Sequence, residues 1–373
     1  MRILHVSSAR AFGGGERHLA DLARGLKERG HEVFAALSPD SQLRERLGAI
    51  PLEGIFTLPL RNALDLDSAF RLARFAREQE VEIIHAHVAR DYMLAALAAR
   101  RAPRARLVIT RHVLFPLSRI HRLTLSNVSC VIAVSEAVAR SLRAQRIFDA
   151  GRIRVVTNGI DLRKLEEARR SFERESREGD TTRKLFRVGI VGELSEVKGQ
   201  EDFVRAAAII CVRLAHEIEF LIVGGDESRT GEYRARLERL VAELGLIESV
   251  RLSGRLDDVA RVLSSLDVFV SASRSEAFGM AMVEAMACSV PVVATATEGA
   301  REIVTDGVNG LIVPIGDSNA LAEAVLSLLR DERLRLDFGT RAREAAHRRF
   351  SLERMVEATE RIYAEATEAS ASG

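Results

Sequence analysis

The strongest constraint on this chain is an alternation between short β-branched or apolar runs and stretches with apolar residues at helical spacing. RILHVSS (2–8) is such a run; FGGGE follows, and then Leu19, Leu22, Ala23 and Leu26 recur at helical intervals until Gly30 ends the pattern before HEVFAAL. That is a βαβ unit, and a parallel pair joined by a right-handed crossover follows from it. The alternation predicts a helix over 68–79, strand VEIIHAH (81–87), a helix over 91–101, strand RLVIT (106–110) and a helix around 116–126. Strand CVIAVS (130–135), a helix over 136–145 and strand IRVVTNG (153–159) close the series. The segment 163–187 is dense in charge and reads as a linker or solvated helix. A second series then begins: strands RVGIVG (187–192), EFLIVGG (219–225), VRLSG (250–254), DVFVSAS (267–273), PVVAT (291–295) and GLIVP (310–314). Helices are expected at 199–214, 230–244, 256–264, 279–288 and 318–330, with a turn after PVVAT.

The expected architecture is two doubly wound α/β domains facing a central cleft. The first spans 1–165, a charged linker 166–186, the second domain 187–350, and a C-terminal helix 351–373 crosses back to the first domain. SASG at the end reads as frayed. Ligands of such sheets bind beyond the carboxyl ends of the strands. The loops after strands are therefore where chemistry is sought.

At 373 residues, 47% hydrophobic and 29% charged, two folded domains are the natural expectation. No apolar run approaches the roughly 20 residues of a membrane span. MRILHVSSA reads as a strand and lacks the features of a signal peptide. Cys130, Cys211 and Cys288 lie far apart among apolar neighbours, in no metal-binding spacing, as expected of reduced core thiols in the cytoplasm. Residues 1–170 hold 29 Arg/Lys against 18 Asp/Glu, and the remainder 26 against 35, so a net +2 conceals a basic half (+11) and an acidic half (−9). Different partners for the two halves follow.

SEAFGMAMVEAMACSVP (275–291) sets Glu276 and Glu284 in an apolar segment. Glu276 falls in the loop beyond a strand, beside a helix start, where free N–H groups near Phe278, Gly279 and Met280 form an anion site. A helix-start acid is the plainer reading of Glu276. Glu284 lies one to two turns deeper on a helix apolar all round. A buried carboxylate must find donors, which ribose hydroxyls or a neighbouring loop supply. VGELSEVKG (191–199) places Lys198, one of only four lysines beside 51 arginines, beyond another strand end, where it can neutralise a diphosphate. Gly13, Gly14 and Gly15 permit close backbone approach to a ligand, although FGGGE is neither GxGxxG nor a P-loop. His112 in TRHV follows a strand of the first domain, whereas His85, His87 and His121 read as structural. Arg100, Arg101, Arg104, Arg106, Arg111, Arg119 and Arg122 form a basic group. With no Trp and only Phe115 nearby, an anionic acceptor or membrane surface suits that group better than nucleic acid.

Taken together, these segments resemble a family 4 retaining glycosyltransferase of the GT-B fold, built of two Rossmann-like domains. GGGERHLADLARGLKERGHEV, VIAVSEAVARSL, IRVVTNGIDL, SRSEAFGMAMVEAMACSVPVVAT with its E-x₇-E spacing, and GVNGLIVPIGDSNALAEAV carry the likeness through nearly the whole chain. The resemblance implies a metal-independent hexosyltransferase without a cofactor, using a nucleotide sugar such as a UDP- or GDP-sugar. The acceptor is a carbohydrate or glycolipid of the envelope polysaccharide or lipopolysaccharide kind. It implies a protein of the cytoplasm, peripheral at the inner face of the membrane. It further implies that Glu276 meets donor sugar hydroxyls, Glu284 the ribose, Lys198 and the helix start at Gly279 the diphosphate, Gly14 and Gly15 the donor phosphates, and His112 the transferred sugar. Two positions depart from the family pattern. Glu193 stands where an Arg is common, leaving Arg255 or Arg274 to supply the second cation, and Glu298-Gly299 precedes Glu302 where two glycines are common. Glu193 keeps open a catalytically silent donor-binding protein. A GT-B sugar epimerase or phosphorylase is the other alternative, and the E-x₇-E placement argues against it.

Overall fold

The structure is a computed structural model that describes residues 1–11, 13–48, 52–178, 185–214, 217–226, 228 and 230–368. It divides into two compact units, Met1–Gly159 with Leu352–Gly373, and Ile160–Ser351.

Among the described residues of the first unit seven strands form one parallel sheet: β1 (Arg2–Ser7), β2 (Glu32–Leu37), β3 (Gly54–Thr57), β4 (Ile83–Ala86), β5 (Arg106–Arg111), β6 (Val128–Ala133) and β7 (Ile153–Val155). Their spatial order is β3-β2-β1-β4-β5-β6-β7. The inner strands are buried almost throughout, as a sheet covered on both faces requires. Helix Gly14–Glu28 turns Leu19, Leu22, Ala23 and Leu26 onto the core. The C-terminal helix Leu352–Glu368 adds Met355, Val356, Ile362 and Tyr363 to the same core. Helix Gly14–Glu28 and this helix approach so closely at Gly25 that a Cβ there would collide with the Val356 side chain.

Among its described residues the second unit holds six parallel strands: β8 (Phe186–Val191), β9 (Ile218–Val223), β10 (Val250–Gly254), β11 (Val268–Ser271), β12 (Val292–Thr295) and β13 (Gly310–Val313). They run in the order β10-β9-β8-β11-β12-β13. The order reverses between β1 and β4 in the first sheet and between β8 and β11 in the second. Such switch points open a crevice at the carboxyl ends of the strands.

Several expectations change. The charged segment expected as a linker over 166–186 is, for most of its length, helix Leu162–Glu178. It packs on helices Val259–Ser264 and Met280–Ala287 within the second unit. Leu165 is buried, Glu166 accepts a 2.7 Å bond from Arg343, and Arg169 pairs with Glu173 one turn on. A dense charge pattern was thus the outer face of a packed helix, and the unit begins at Ile160 rather than 187. Residues 179–184 of that segment, and SASG at the C-terminus, lie outside the described residues. The helix expected around 116–126 shrinks to His121–Thr124, and the turn after β12 contains helix Glu298–Ile303. Among the described residues no helix is long and apolar enough to cross a membrane.

Candidate active site

In the second unit the switch point brings together the loops after β8 and β11. Lys198, ending the short turn Glu196–Lys198, donates from Nζ to Glu276 Oε2 at 2.7 Å. A second strap runs between the same loops, from Arg274 N to Val197 O at 2.7 Å. The loops are pressed together at Gly199, where φ is +70° and a Cβ would strike the Ala272 carbonyl; only glycine serves at that helix start. The pair is half-sheltered, with 30% of the Lys198 side chain and 16% of that of Glu276 exposed.

Glu276 is held from behind as well. Gly299 N donates to the Glu276 carbonyl at 3.0 Å, and a Cβ at Gly299 would lie 2.8 Å from that oxygen and 2.7 Å from Phe278 O. The glycine of Glu298-Gly299 therefore backs the Glu276 loop. Phe278 is buried edge-on against Phe350, with ring centroids 5.5 Å apart. Gly279, at φ +107°, starts helix Met280–Ala287, whose first N–H groups have no intrahelical partner by geometry. Glu284 lies on this helix, only 2% exposed, among Met282, Val283, Ala285, Met286 and Ala287. Burial, to which the Glu284 charge adds, pushes the neighbouring Cys288 thiol up to about 11.

Glu193 extends into solvent from the Lys198 loop, in no ion pair among the described residues; its carbonyl, not its carboxylate, is held, by Gln200 Nε2 at 2.8 Å. Of the two arginines suggested to replace the missing cation, Arg274 belongs to the loop strapped to Val197, its guanidinium 2.9 Å from Asp202. Arg255 is exposed beyond β10.

In the first unit the ends of β1, β4 and β5 carry an array of imidazoles. His5 and His85 are register partners on β1 and β4, His87 follows β4, His112 follows β5, and His18 comes from helix Gly14–Glu28. His5 Nδ1 and His87 Nε2 are 3.0 Å apart, while His85 bonds Tyr363 Oη at 2.6 Å and Thr110 Oγ1 at 2.7 Å. Gly15 lies against His112, whose ring would be 3.6 Å from a Cβ there. Burial lowers all five: His5 to about 3, His18 to about 4 against a lift from Asn158, and His85, His87 and His112 well below the usual value. They are neutral imidazoles at pH 7. Gly14 is exposed at the helix start.

The arginines of the basic group are spread over several elements. Arg104 and Arg106 sit at the amino end of β5, Arg104 paired with Glu80 and Arg106 lining a cavity of 480 Å³ with Arg152 and Arg154. Arg101 lies 4.6 Å over the Phe70 ring, and Arg100 bonds Thr124 O and Ser126 Oγ. Arg119 and Arg122 lie in the connection from β5 to β6, close in sequence to Phe115 (73% exposed), Ile120 (55%) and Leu123 (77%). Sequence reasoning named Phe115 but, with a helix expected around 116–126, missed that Ile120 and Leu123 are exposed. It also missed His18, hidden in an ordinary amphipathic pattern, and Asp91. Asp91 accepts from Ser8 N at 2.7 Å, and burial raises its pKa to about 6.

Two all-parallel α/β units with these switch-point loops define a sugar-transferring enzyme of the GT-B class. A model described as Glycosyltransferase Family 4 matches residues 12–164, and one described as Glycosyl transferases group 1 matches residues 171–345. The chain is 30% identical over 361 residues to a phosphatidyl-myo-inositol mannosyltransferase of Mycobacterium leprae, covering 90% of this chain and 89% of that one. It belongs to this glycosyltransferase family. It is also 27% identical to N-acetyl-alpha-D-glucosaminyl L-malate synthase of Bacillus anthracis, over 92% of this chain and 91% of the relative. Among solved structures, Anabaena HepE in complex with UDP and glucose is similar at a TM-score of 0.82 and 26% identity, covering 97% of this chain and 98% of that one.

Proposed function

We propose that the protein is a retaining hexosyltransferase that moves a sugar from a nucleotide sugar to a glycolipid or envelope polysaccharide acceptor. One observation carries the reading: the Lys198–Glu276 pair, 2.7 Å long, joins the two switch-point loops beside the start of helix Met280–Ala287. A cation, a carboxylate and free backbone N–H groups at one place match a diphosphate bonded to a sugar. The likeness to a protein solved with UDP and glucose supports the same ligand class.

In this reading Lys198 and the helix start hold the diphosphate and stabilise the charge that grows on it as the anomeric C–O bond breaks. Glu276, oriented by Lys198, accepts hydrogen bonds from the sugar, and Glu284 accepts them from the ribose. The neutral His112 imidazole bonds a hydroxyl of the transferred sugar, and the backbone at Gly14 and Gly15 meets the donor phosphates. The acceptor hydroxyl attacks the anomeric carbon from the face the phosphate leaves, and its proton passes to the departing phosphate oxygen. Configuration is kept, and no divalent ion is needed because Lys198 and the helix start supply the positive charge.

The acceptor class rests on the first unit. Phe115, Ile120 and Leu123, exposed beside Arg119 and Arg122, combine apolar insertion with attraction to anionic headgroups. That combination suits a protein peripheral to the inner face of the membrane, acting from the cytoplasm. Glu193, exposed on the Lys198 loop, favours a second reading in which the donor is bound but not consumed. Release of nucleoside diphosphate from a panel of UDP- and GDP-sugars decides between them: transfer or slow hydrolysis supports the first, and binding without release the second.

A further inference from the structure

In the first unit, β1 and β4 lie side by side with His5 opposite His85, so His5, His85 and His87 share one face of the sheet. His18 and His112 meet His87 from the adjoining helix and from the end of β5. Two overlapping triads result, His5–His85–His87 and His18–His87–His112, each offering one nitrogen per ring within 4.8 Å of the others.

The hydrogen bonds separate them. In the first triad, both nitrogens of His85 and one of His5 are taken up by Tyr363, Thr110 and His87. In the second, His87 Nδ1, His112 Nε2 and at least one ring nitrogen of His18, whose other neighbour is Asn158, are buried without a hydrogen-bond partner. Buried polar nitrogens are ordinarily satisfied, and here they gather on three rings that meet. The centroids of the three rings are 4.8, 5.9 and 6.1 Å apart, with His18 edge-on to His112, tilted to His87, and His87 nearly parallel to His112.

We propose that His18, His87 and His112 form a site for a transition-metal ion of the zinc or cobalt kind. Three imidazole lone pairs suit such an ion, whereas magnesium and calcium require oxygen ligands. Ligand atoms held 2.0–2.1 Å from one tetrahedral ion stand about 3.4 Å apart. Binding would draw together three nitrogens that already lie within 4.8 Å of one another. His87 coordinates through Nδ1 while its Nε2–H donates to His5 Nδ1, 3.0 Å away, which makes His5 the positioning residue behind the ligand. The fourth position is filled by water or an oxygen of a bound ligand. All three ligands lie in the first unit, and only His112 is shared with the donor reading. The ion is no cofactor of transfer. It competes for the His112 nitrogen assigned to the sugar.

The test uses the full-length chain without a histidine tag, stripped with a chelator and titrated with Co²⁺ by visible absorption and with Zn²⁺ by calorimetry. One ion per chain with the visible bands of four- or five-coordinate cobalt is expected. His18→Gln and His112→Gln each abolish the bands, His5→Gln weakens affinity about tenfold to a hundredfold, and His121→Gln, at the surface, changes nothing. The inference is overturned by less than stoichiometric binding to the wild type. Equal binding by His18→Gln and His112→Gln overturns it too. Should His18→Gln fail to fold by circular dichroism, His112→Gln, at the half-buried position, decides on the same terms.

Discussion

Replacing Lys198 by Ala separates a structural role from a chemical one. The ion pair with Glu276 is 2.7 Å long but partly solvated, with side chains 30% and 16% exposed, so screening limits its worth to about 1 kcal/mol of stability. In a unit of this size that lowers the thermal midpoint by about 2–4 °C. If Nζ stabilises the leaving diphosphate, its loss removes a charged donor from the transition state, a cost of about 3–4 kcal/mol or 100- to 1,000-fold in turnover. The two numbers differ enough to be told apart. Thermal unfolding and the rate of nucleoside diphosphate release are measured on wild type, Lys198→Ala and Lys198→Arg, with saturating donor. Lys198→Arg keeps the charge but not the point geometry and regains part of the rate. A Lys198→Ala protein that turns over within threefold of wild type refutes the reasoning.

Glu284→Gln keeps shape and loses charge, so UDP affinity by calorimetry falls about tenfold to a hundredfold while the fold persists; unchanged affinity removes the ribose assignment. Asp91, raised to about 6 in the fold from 3.8, binds its proton more tightly folded than unfolded. Its contribution is therefore full below pH 3.8 and lost as pH rises through 6, at a cost of about 3 kcal/mol. Urea unfolding of Asp91→Asn against wild type shows the variant gaining relative stability between pH 4 and pH 7, and a pH-independent difference contradicts this. Phe115→Ser with Leu123→Ser reduces co-sedimentation with anionic liposomes at least as much as Arg119→Glu with Arg122→Glu does. Equal co-sedimentation of all forms discards the membrane surface.

Strand and helix periods were legible wherever a run was long and buried. The β1 and β8 segments, the glycines before helices, and the apolar helix around Glu284 all announced themselves. What stayed hidden has physical reasons. β3 is a four-residue edge strand with every residue half-buried, too short for a period. Helix Leu162–Glu178 showed its charged outer face, while its packing on helix Met280–Ala287 depends on contacts distant in sequence. Helix Glu332–Arg349 is likewise rich in charge, and its Phe338, Ala342 and Ala346 are buried only against the rest of the unit. Lys198 and Glu276 were each singled out alone, but their pairing required the β8–β11 adjacency. The histidines were dispersed over 108 positions of sequence, from His5 to His112, and only the register of β1 on β4 brings them together. The seven arginines are near one another in sequence, but they are held by different partners, Arg104 by Glu80, Arg101 by the Phe70 ring and Arg100 by Thr124 and Ser126.

The central claim is transfer from a nucleotide sugar with retention at the anomeric carbon. Its most direct measurement follows a donor labelled with ¹³C at that carbon by NMR, with a lipid-linked acceptor extract and the purified chain. The account predicts release of nucleoside diphosphate, dependent on Lys198, and a product whose anomeric coupling matches the configuration of the donor. A product of inverted configuration, or a panel of donors all bound yet none consumed, contradicts it.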